Sequence, residues 1–252
     1  MGWRERAVAR RAERALARQL AYQRDKAARV GGHEQRIVAS MIEHSRAVRA
    51  KLEAVRPVRE EDRVLEVGSG AHGLIFFFGT RDGVGVDPLA DHYKALFPAW
   101  QGRARTIAVG GETLPFDDAS FDIVLSDNVV DHAEGPAKIV AEMARVLRPG
   151  GLLYFTVNVH HPFYHAAASA HAGWRALGVP FEITPFADHT VHLTPAAAKR
   201  LFDGLPLRTL SESDTIAETK RDGATRRARH PGDLLKRLFY KNALYERIAE
   251  RI

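Results

Sequence analysis

Three glycines and one aspartate carry the clearest chemistry in this chain. Gly68, Gly70 and Gly73 follow the apolar run Val64–Val67, and Glu66 stands two residues ahead of the first glycine. Glycines there permit a tight turn and let a ligand approach the backbone closely. Asp87 closes the next apolar run, nineteen residues after Gly68, where an acidic side chain can take ribose hydroxyls. The spacing fits a nucleotide-type G-x-G-x-x-G turn and by itself leaves the kind of nucleotide cofactor open. Histidine offers the second chemistry. His132, His160 and His161 each lie just past an apolar run, where an imidazole could act as a general base or contact a substrate. His161 and His165 are four apart, as are Asp188 and His192, a spacing that would share a helix face. No H-E-x-x-H pattern accompanies them, and the prolines and glycines nearby argue for irregular backbone, so no metal site is expected. The chain has no cysteine, which excludes a thiolate nucleophile, a thiolate zinc cage and a cysteine-held cluster.

These residues need a scaffold of strands and helices in alternation. Short apolar runs predict strands at 63–67, 83–86, 105–108, 122–126 and 152–157, with a late strand at 207–213. A helix over 136–147 has proline in its first turn, a stripe of Ile139, Val140, Met143, Val146 and Leu147, and Pro149, Gly150 and Gly151 beyond it. A further helix at 195–202 takes Thr194 as its N-cap. The pattern predicts an α/β fold, a Rossmann-like open and mostly parallel sheet of about seven strands with helices on both faces. Ahead of it, amphipathic helices at 4–29 and 34–55 form an N-terminal helical cap over residues 1–56. The sheet domain spans 57–230, with a lid-like insertion at 158–192 that includes Phe163, Tyr164, Trp174, Phe181 and Phe186. Asp222-Gly223 reads as a hairpin turn, and residues 231–252 as a C-terminal basic amphipathic helix.

Beyond the glycine turn, three further stretches narrow the reading. They are Gly110–Ser126, with Leu114, Pro115 and Phe116 inside it, then Asp131-His132, then Glu142–Gly151. In this order, residues 63–157 resemble the class I S-adenosylmethionine-dependent methyltransferases, in particular the methyltransferase type 11 group that is similar to the quinone-biosynthesis C-methyltransferases. The resemblance implies S-adenosyl-L-methionine as cofactor. It implies that Glu66 holds the glycine loop or the methionine amino group, that Gly68 and Gly70 pass beside the methionyl part, and that Asp87 takes the ribose. Pro88 and Leu89 would pack near adenine, Gly111 and Glu112 would flank its edge, and Asn128 would sit beside the methyl group. The sequence departs from the family at Gly110, where an acidic residue is common, and at His72, where the third loop glycine usually stands.

Composition bounds what remains. The 252 residues carry a net charge of +6, concentrated in arginines before residue 30 and in Lys and Arg from 220 to 241. No apolar run is long enough to span a membrane and the first residues lack a secretory pattern, so a cytoplasmic protein is expected. The expected acceptor is a small or medium organic molecule, methylated on oxygen in preference to nitrogen or carbon because of His132, His160 and His161. Nucleic acid is not an expected partner, while the C-terminal helix could touch an anionic membrane. The oligomeric state is left open. Two rival readings stand beside this one: a nicotinamide-type oxidoreductase, and a methyltransferase-derived protein that binds nucleic acid or anionic membrane through its basic ends.

Overall fold

The computed structural model describes residues 3–29, 33–133, 135–164, 166, 191–225 and 239–252. Two helices, α1 (Trp3–Arg29) and α2 (Glu34–Glu53), precede the sheet. There follow β1 (Arg63–Val67), β2 (Asp82–Val86), α3 (Ala90–Leu96), α4 (Pro98–Gln101), β3 (Arg105–Ile107), β4 (Phe121–Asp127), α5 (Pro136–Val146) and β5 (Leu147–Val159). The chain closes with α6 (Pro195–Arg200), β6 (Leu207–Asp214), α7 (Ile216–Thr225) and β7 (Ala243–Arg251). The sheet has seven strands in the order β3-β2-β1-β4-β5-β7-β6. Strands β1 to β5 are parallel, and β7 is antiparallel to both β5 and β6. Thr194 caps α6 as expected, its hydroxyl accepting from the Ala197 N–H at 3.2 Å.

Strands buried on both faces read as continuous apolar runs, because helices cover each side. On one face Leu65, Val67, Val84, Val86, Val124, Leu153 and Phe155 meet Ile139, Val140 and Met143 of α5. On the other, Val64, Ile123, Leu125, Leu152, Tyr154 and Ile248 meet Met41, Val48 and Leu52 of α2 and Tyr93 of α3. At the second face's upper edge the apolar residues give way to Glu66, Asp127, Thr156 and Glu246, a polar layer at the carboxyl ends of the parallel strands. Ligands in open α/β sheets bind outside those ends.

Two expectations about the C-terminal part are corrected. Residues 243–251 are a strand and not part of a helix: β7 fills the place beside β5 with eight paired positions, from Leu152↔Glu250 to Val159↔Ala243. The segment's apolar residues satisfy both periods. Tyr245 and Ala249 face one core and Ile248 the other, and the hydrogen-bonding edge of β5 decides between them. Membrane contact through a helical face at these residues falls with that expectation. Asp222-Gly223 is not a hairpin turn but lies inside α7. A glycine in an exposed helix costs only about 1 kcal/mol, and the antiparallel partner of β6 is β7, well beyond the supposed turn. Trp174, Phe181, Phe186, His165, His171, Asp188, His189 and residues 231–238 lie outside the described residues. Among the described residues no helix is long and apolar enough to cross a membrane.

Ile248 is 3% exposed and packs with Ile123, Leu152 and Tyr154. Ile248→Ala should therefore destabilise the protein by about 2–5 kcal/mol, as for other large-to-small core substitutions. Urea denaturation would measure this; a loss within about 0.5 kcal/mol, as at a surface position, would contradict the strand assignment.

Candidate active site

The turn after β1 is built around a carboxylate inside the fold. Glu66 is 1% exposed, and its two oxygens accept the backbone N–H groups of Leu74 at 3.0 Å and Ile75 at 2.9 Å. This bond pair ties the strand to the far end of its own loop. Burial pushes the Glu66 carboxyl up to about 8 despite those two donors, and the charges of Asp127 and Asp87 push the same way. Between the two ends of the loop, Gly68 has φ +77, and a Cβ there would lie 2.3 Å from a methyl carbon of Val129. The position needs glycine twice over, for the left-handed backbone and for the close approach of the chain leaving β4.

Asp87, at the tip of β2, is bound into the same loop. One of its oxygens accepts the Gly70 N–H at 3.1 Å and the other the Leu89 N–H at 2.8 Å. Burial raises its pKa, and these two donors work against the rise. The outer rim of the loop is held by residues that sequence reasoning missed. The Trp100 indole N–H donates to the Ala71 carbonyl at 2.7 Å, and the Gln101 amide donates to the carbonyls of Gly70 and Ala71. His72 packs against the stacked rings of Phe97 and Trp100, and burial lowers its pKa to about 4. It is a neutral ring on the loop's outer side.

The other cofactor candidates line neighbouring strand ends. Pro88 is exposed and Leu89 buried. Gly111 rests against Val67 and Ile139, and the half-buried Glu112 lies beside Gly110 and Gly135. Asn128 takes a left-handed conformation, φ 57, and its amide oxygen accepts the Asn158 N–H at 3.0 Å, so this side chain ties β4 to β5.

The three histidine candidates do not share one environment. His132 is exposed, 3.9 Å from a carboxylate oxygen of the buried Asp131. His160 is fully buried, its ring 5.1 Å from that of His192 and its Nδ1 accepting the Asn242 N–H. His161 is half-buried against the rings of Phe239 and Tyr240.

A fourth histidine, absent from the sequence-based candidates, stands at the tip of β4. His44 Nε2 lies 2.7 Å from Asp127 Oδ2, joining α2 to the sheet across 83 residues. Thr156 donates its hydroxyl to the other Asp127 oxygen at 2.6 Å, and the same hydroxyl accepts the Asn128 N–H. Burial alone would raise the Asp127 pKa, but the donors His44 and Thr156 outweigh it and hold the group below the usual range. No short-range signal could reveal this pairing, since only the packing of α2 on the sheet brings the two residues together.

With this geometry in place, three comparisons bear on it. Residues 65–155 match the family described as a methyltransferase domain. Over that stretch the chain is similar to a methyltransferase domain. An uncharacterized methyltransferase of Mycobacterium sp. (strain JLS) is 40% identical over 98 residues, covering 38% of each chain. The match thus spans about two-fifths of the length of such relatives. The structure is similar to that of a geranyl diphosphate methyltransferase in complex with S-adenosylmethionine, at TM-score 0.58 and 17% identity, covering 88% of this chain and 91% of that one. It is also similar to the geranyl diphosphate C-methyltransferase of Streptomyces coelicolor A3(2), at TM-score 0.58 and 14% identity, covering 87% and 84%. At such identities these two likenesses concern the fold.

The glycine turn yields two predictions. Gly68→Ala should abolish cofactor binding in calorimetry, and adding Val129→Ala should restore it only in part. Removing the clash leaves the left-handed backbone, which costs a non-glycine residue roughly 1–2 kcal/mol. For Glu66, whose pKa is raised on folding, stability is fully present below the ordinary glutamate range and lost as pH rises toward about 8. The melting temperature of the wild type relative to Glu66→Gln should accordingly fall between pH 5 and pH 8. A difference that stays flat across that range would contradict the assignment.

Proposed function

We propose that the protein transfers the methyl group of S-adenosyl-L-methionine to a small or medium organic acceptor. One observation carries the reading: the carboxylates of Glu66, Asp87 and Asp127 stand at the tips of three adjacent parallel strands around the glycine turn, and the electrostatic coupling of Glu66 to the other two places all three in one field. Such a trio suits a ligand with a cationic centre and a ribose, as S-adenosylmethionine has, and its mutual repulsion is relieved when positive charge arrives. The sheet supports this against the nicotinamide rival. A dinucleotide-binding sheet continues past β5 with a further parallel strand, whereas here the antiparallel β7 takes that place.

In the proposed site, Asp87 keeps the lone pairs left over by Gly70 and Leu89 for the ribose hydroxyls. Glu66 keeps the loop closed from behind, so that the backbone of Gly68 and Gly70 runs beside the methionyl part. Pro88, Leu89, Gly111 and Glu112 border the adenine, and Asn128 holds the β4 tip in shape. The cofactor supplies a methyl group on a positively charged sulfur, which a nucleophile can displace directly. The protein's contribution is then in-line positioning of the acceptor and exclusion of water, effects worth several kcal/mol. Oxygen is the favoured acceptor atom, and His132, His160 and His161 remain candidates for contacts with the acceptor beyond β4 and β5.

Asp87→Ala should weaken S-adenosylmethionine binding about 10- to 100-fold, the loss typical of hydrogen bonds to a charged group (about 1.5–3 kcal/mol), as read by isothermal calorimetry. Tight binding of a nicotinamide dinucleotide by the wild type, with none of S-adenosylmethionine, would refute the reading. Incubation with methyl-labelled cofactor and extracts of the source cell would identify the acceptor.

A further inference from the structure

The polar layer above the α2 face holds a histidine–aspartate pair whose histidine has no part in the cofactor roles. Helix α2 lies against the sheet along Met41, Ser45, Val48 and Leu52. His44 and Lys51, seven residues apart, flank this stripe on the same side and reach Asp127 at the tip of β4 and Glu246 within β7. Arg49, on the other flank, binds the carbonyls of Phe78, Gly79 and Val58 and fixes the helix's rotation. The position of His44 is therefore set by packing along the whole helix.

The chemistry of the pair follows from its hydrogen bonds. Asp127 is ionised and already accepts from Thr156, so it can only accept from His44 as well. The proton of the neutral imidazole is thus on Nε2, and Nδ1 is left as an acceptor that no hydrogen bond among the described residues occupies. The His44 side chain is 52% exposed and that of Asp127 24%, so the pair is open on one side. An aspartate that fixes the tautomer and steadies the imidazolium is the arrangement that makes histidine an effective base.

We infer that His44 Nδ1 is the general base for methyl transfer and that the acceptor is a hydroxyl of the phenol or enol class. The inference rests on the methyl-transfer reading above. As the acceptor oxygen forms its bond to the methyl carbon, the carbon–sulfur bond breaks and its electron pair stays on sulfur, leaving a neutral thioether. The hydroxyl proton passes to Nδ1 and from there to solvent. A preformed phenolate is disfavoured beside the carboxylates of Asp127 and Glu246, so the proton is best removed during the attack, next to the base that Asp127 supports. Asp127 raises the pKa of His44, chiefly through the hydrogen bond, against partial burial, and Glu66 adds to the rise. Lys51, which pairs with Glu246, lowers it, and Tyr154 donates to the same Glu246. The net rise places the acid limb of the reaction above the ordinary histidine range.

The test uses the full chain, methyl-labelled S-adenosylmethionine, and two probes, 4-methylphenol and the far more acidic 4-nitrophenol. His44→Gln should lower kcat/KM for 4-methylphenol on the order of 100-fold. For 4-nitrophenol, which loses its proton without help, the drop should be much smaller. Cofactor affinity by calorimetry should change less than twofold, and the acid limb of the wild-type pH profile should disappear. Nitrogen-15 NMR of the wild type should show His44 in the Nε2–H tautomer, and Asp127→Asn should disturb it. An Nδ1–H tautomer, an equal loss on both phenols, or a variant with wild-type rates would overturn the inference. So would a wild type that binds the cofactor and methylates neither probe, which would refute the hydroxyl acceptor. Failure to bind the cofactor at all would show in calorimetry before any phenol is added, and would bring down the parent reading instead.

Discussion

A carboxylate buried at the end of a parallel strand must find donors, and among the described residues Glu66 finds two, the N–H groups of Leu74 and Ile75. An isolated buried charge is so costly that either a partner or a proton must compensate it. Here the two backbone donors offset part of the cost and a raised pKa reflects the rest. The consequence is geometric. The chain must leave β1, turn through Gly68 and Gly70, and return within reach of the strand it just left. The strained turn, the Asp87 bond to Gly70 and the Trp100 and Gln101 contacts on the rim all follow from closing that loop.

The same sheet edge places other polar groups where the loop needs them. The α2 face is apolar through Ile123, Leu125, Leu152 and Tyr154, then becomes polar at the level of Asp127, Thr156 and Glu246. Helix α2 follows this change along its own length, covering the apolar part with Val48 and Leu52 and meeting the polar part with His44. The imidazole of His44 thereby gives the ionised Asp127 a donor from the covering helix. In the proposed enzyme, α2 is at once the cover of one face and a wall of the reaction site.

The C-terminal part shows why periodicity alone misleads at a sheet edge. Residues 243–251 contain apolar and basic residues that fit both a helical stripe and an alternating strand, and only the unpaired edge of β5 distinguishes the two. Asp222-Gly223 resembles a hairpin turn locally, yet Thr225 and the backbone of α7 carry it as helix. Local composition names the structures a segment can form, and the partners supplied by distant segments choose among them.

The sequence by itself determined the parallel core strands β1 to β5, the glycine turn with Glu66 before it and Asp87 after it, the α5 stripe, and the Thr194 cap. Each of these depends on residues within about twenty positions, where steric freedom, hydrogen-bond reach and apolar spacing are visible in the chain. The antiparallel place of β7, the Trp100 and Gln101 clamp on the loop, and above all the pairing of His44 with Asp127 were decided only by the tertiary structure. These contacts join segments 29 to 83 or more residues apart, and nothing in the spacing of a sequence records which distant surfaces will be pressed together when the apolar faces close.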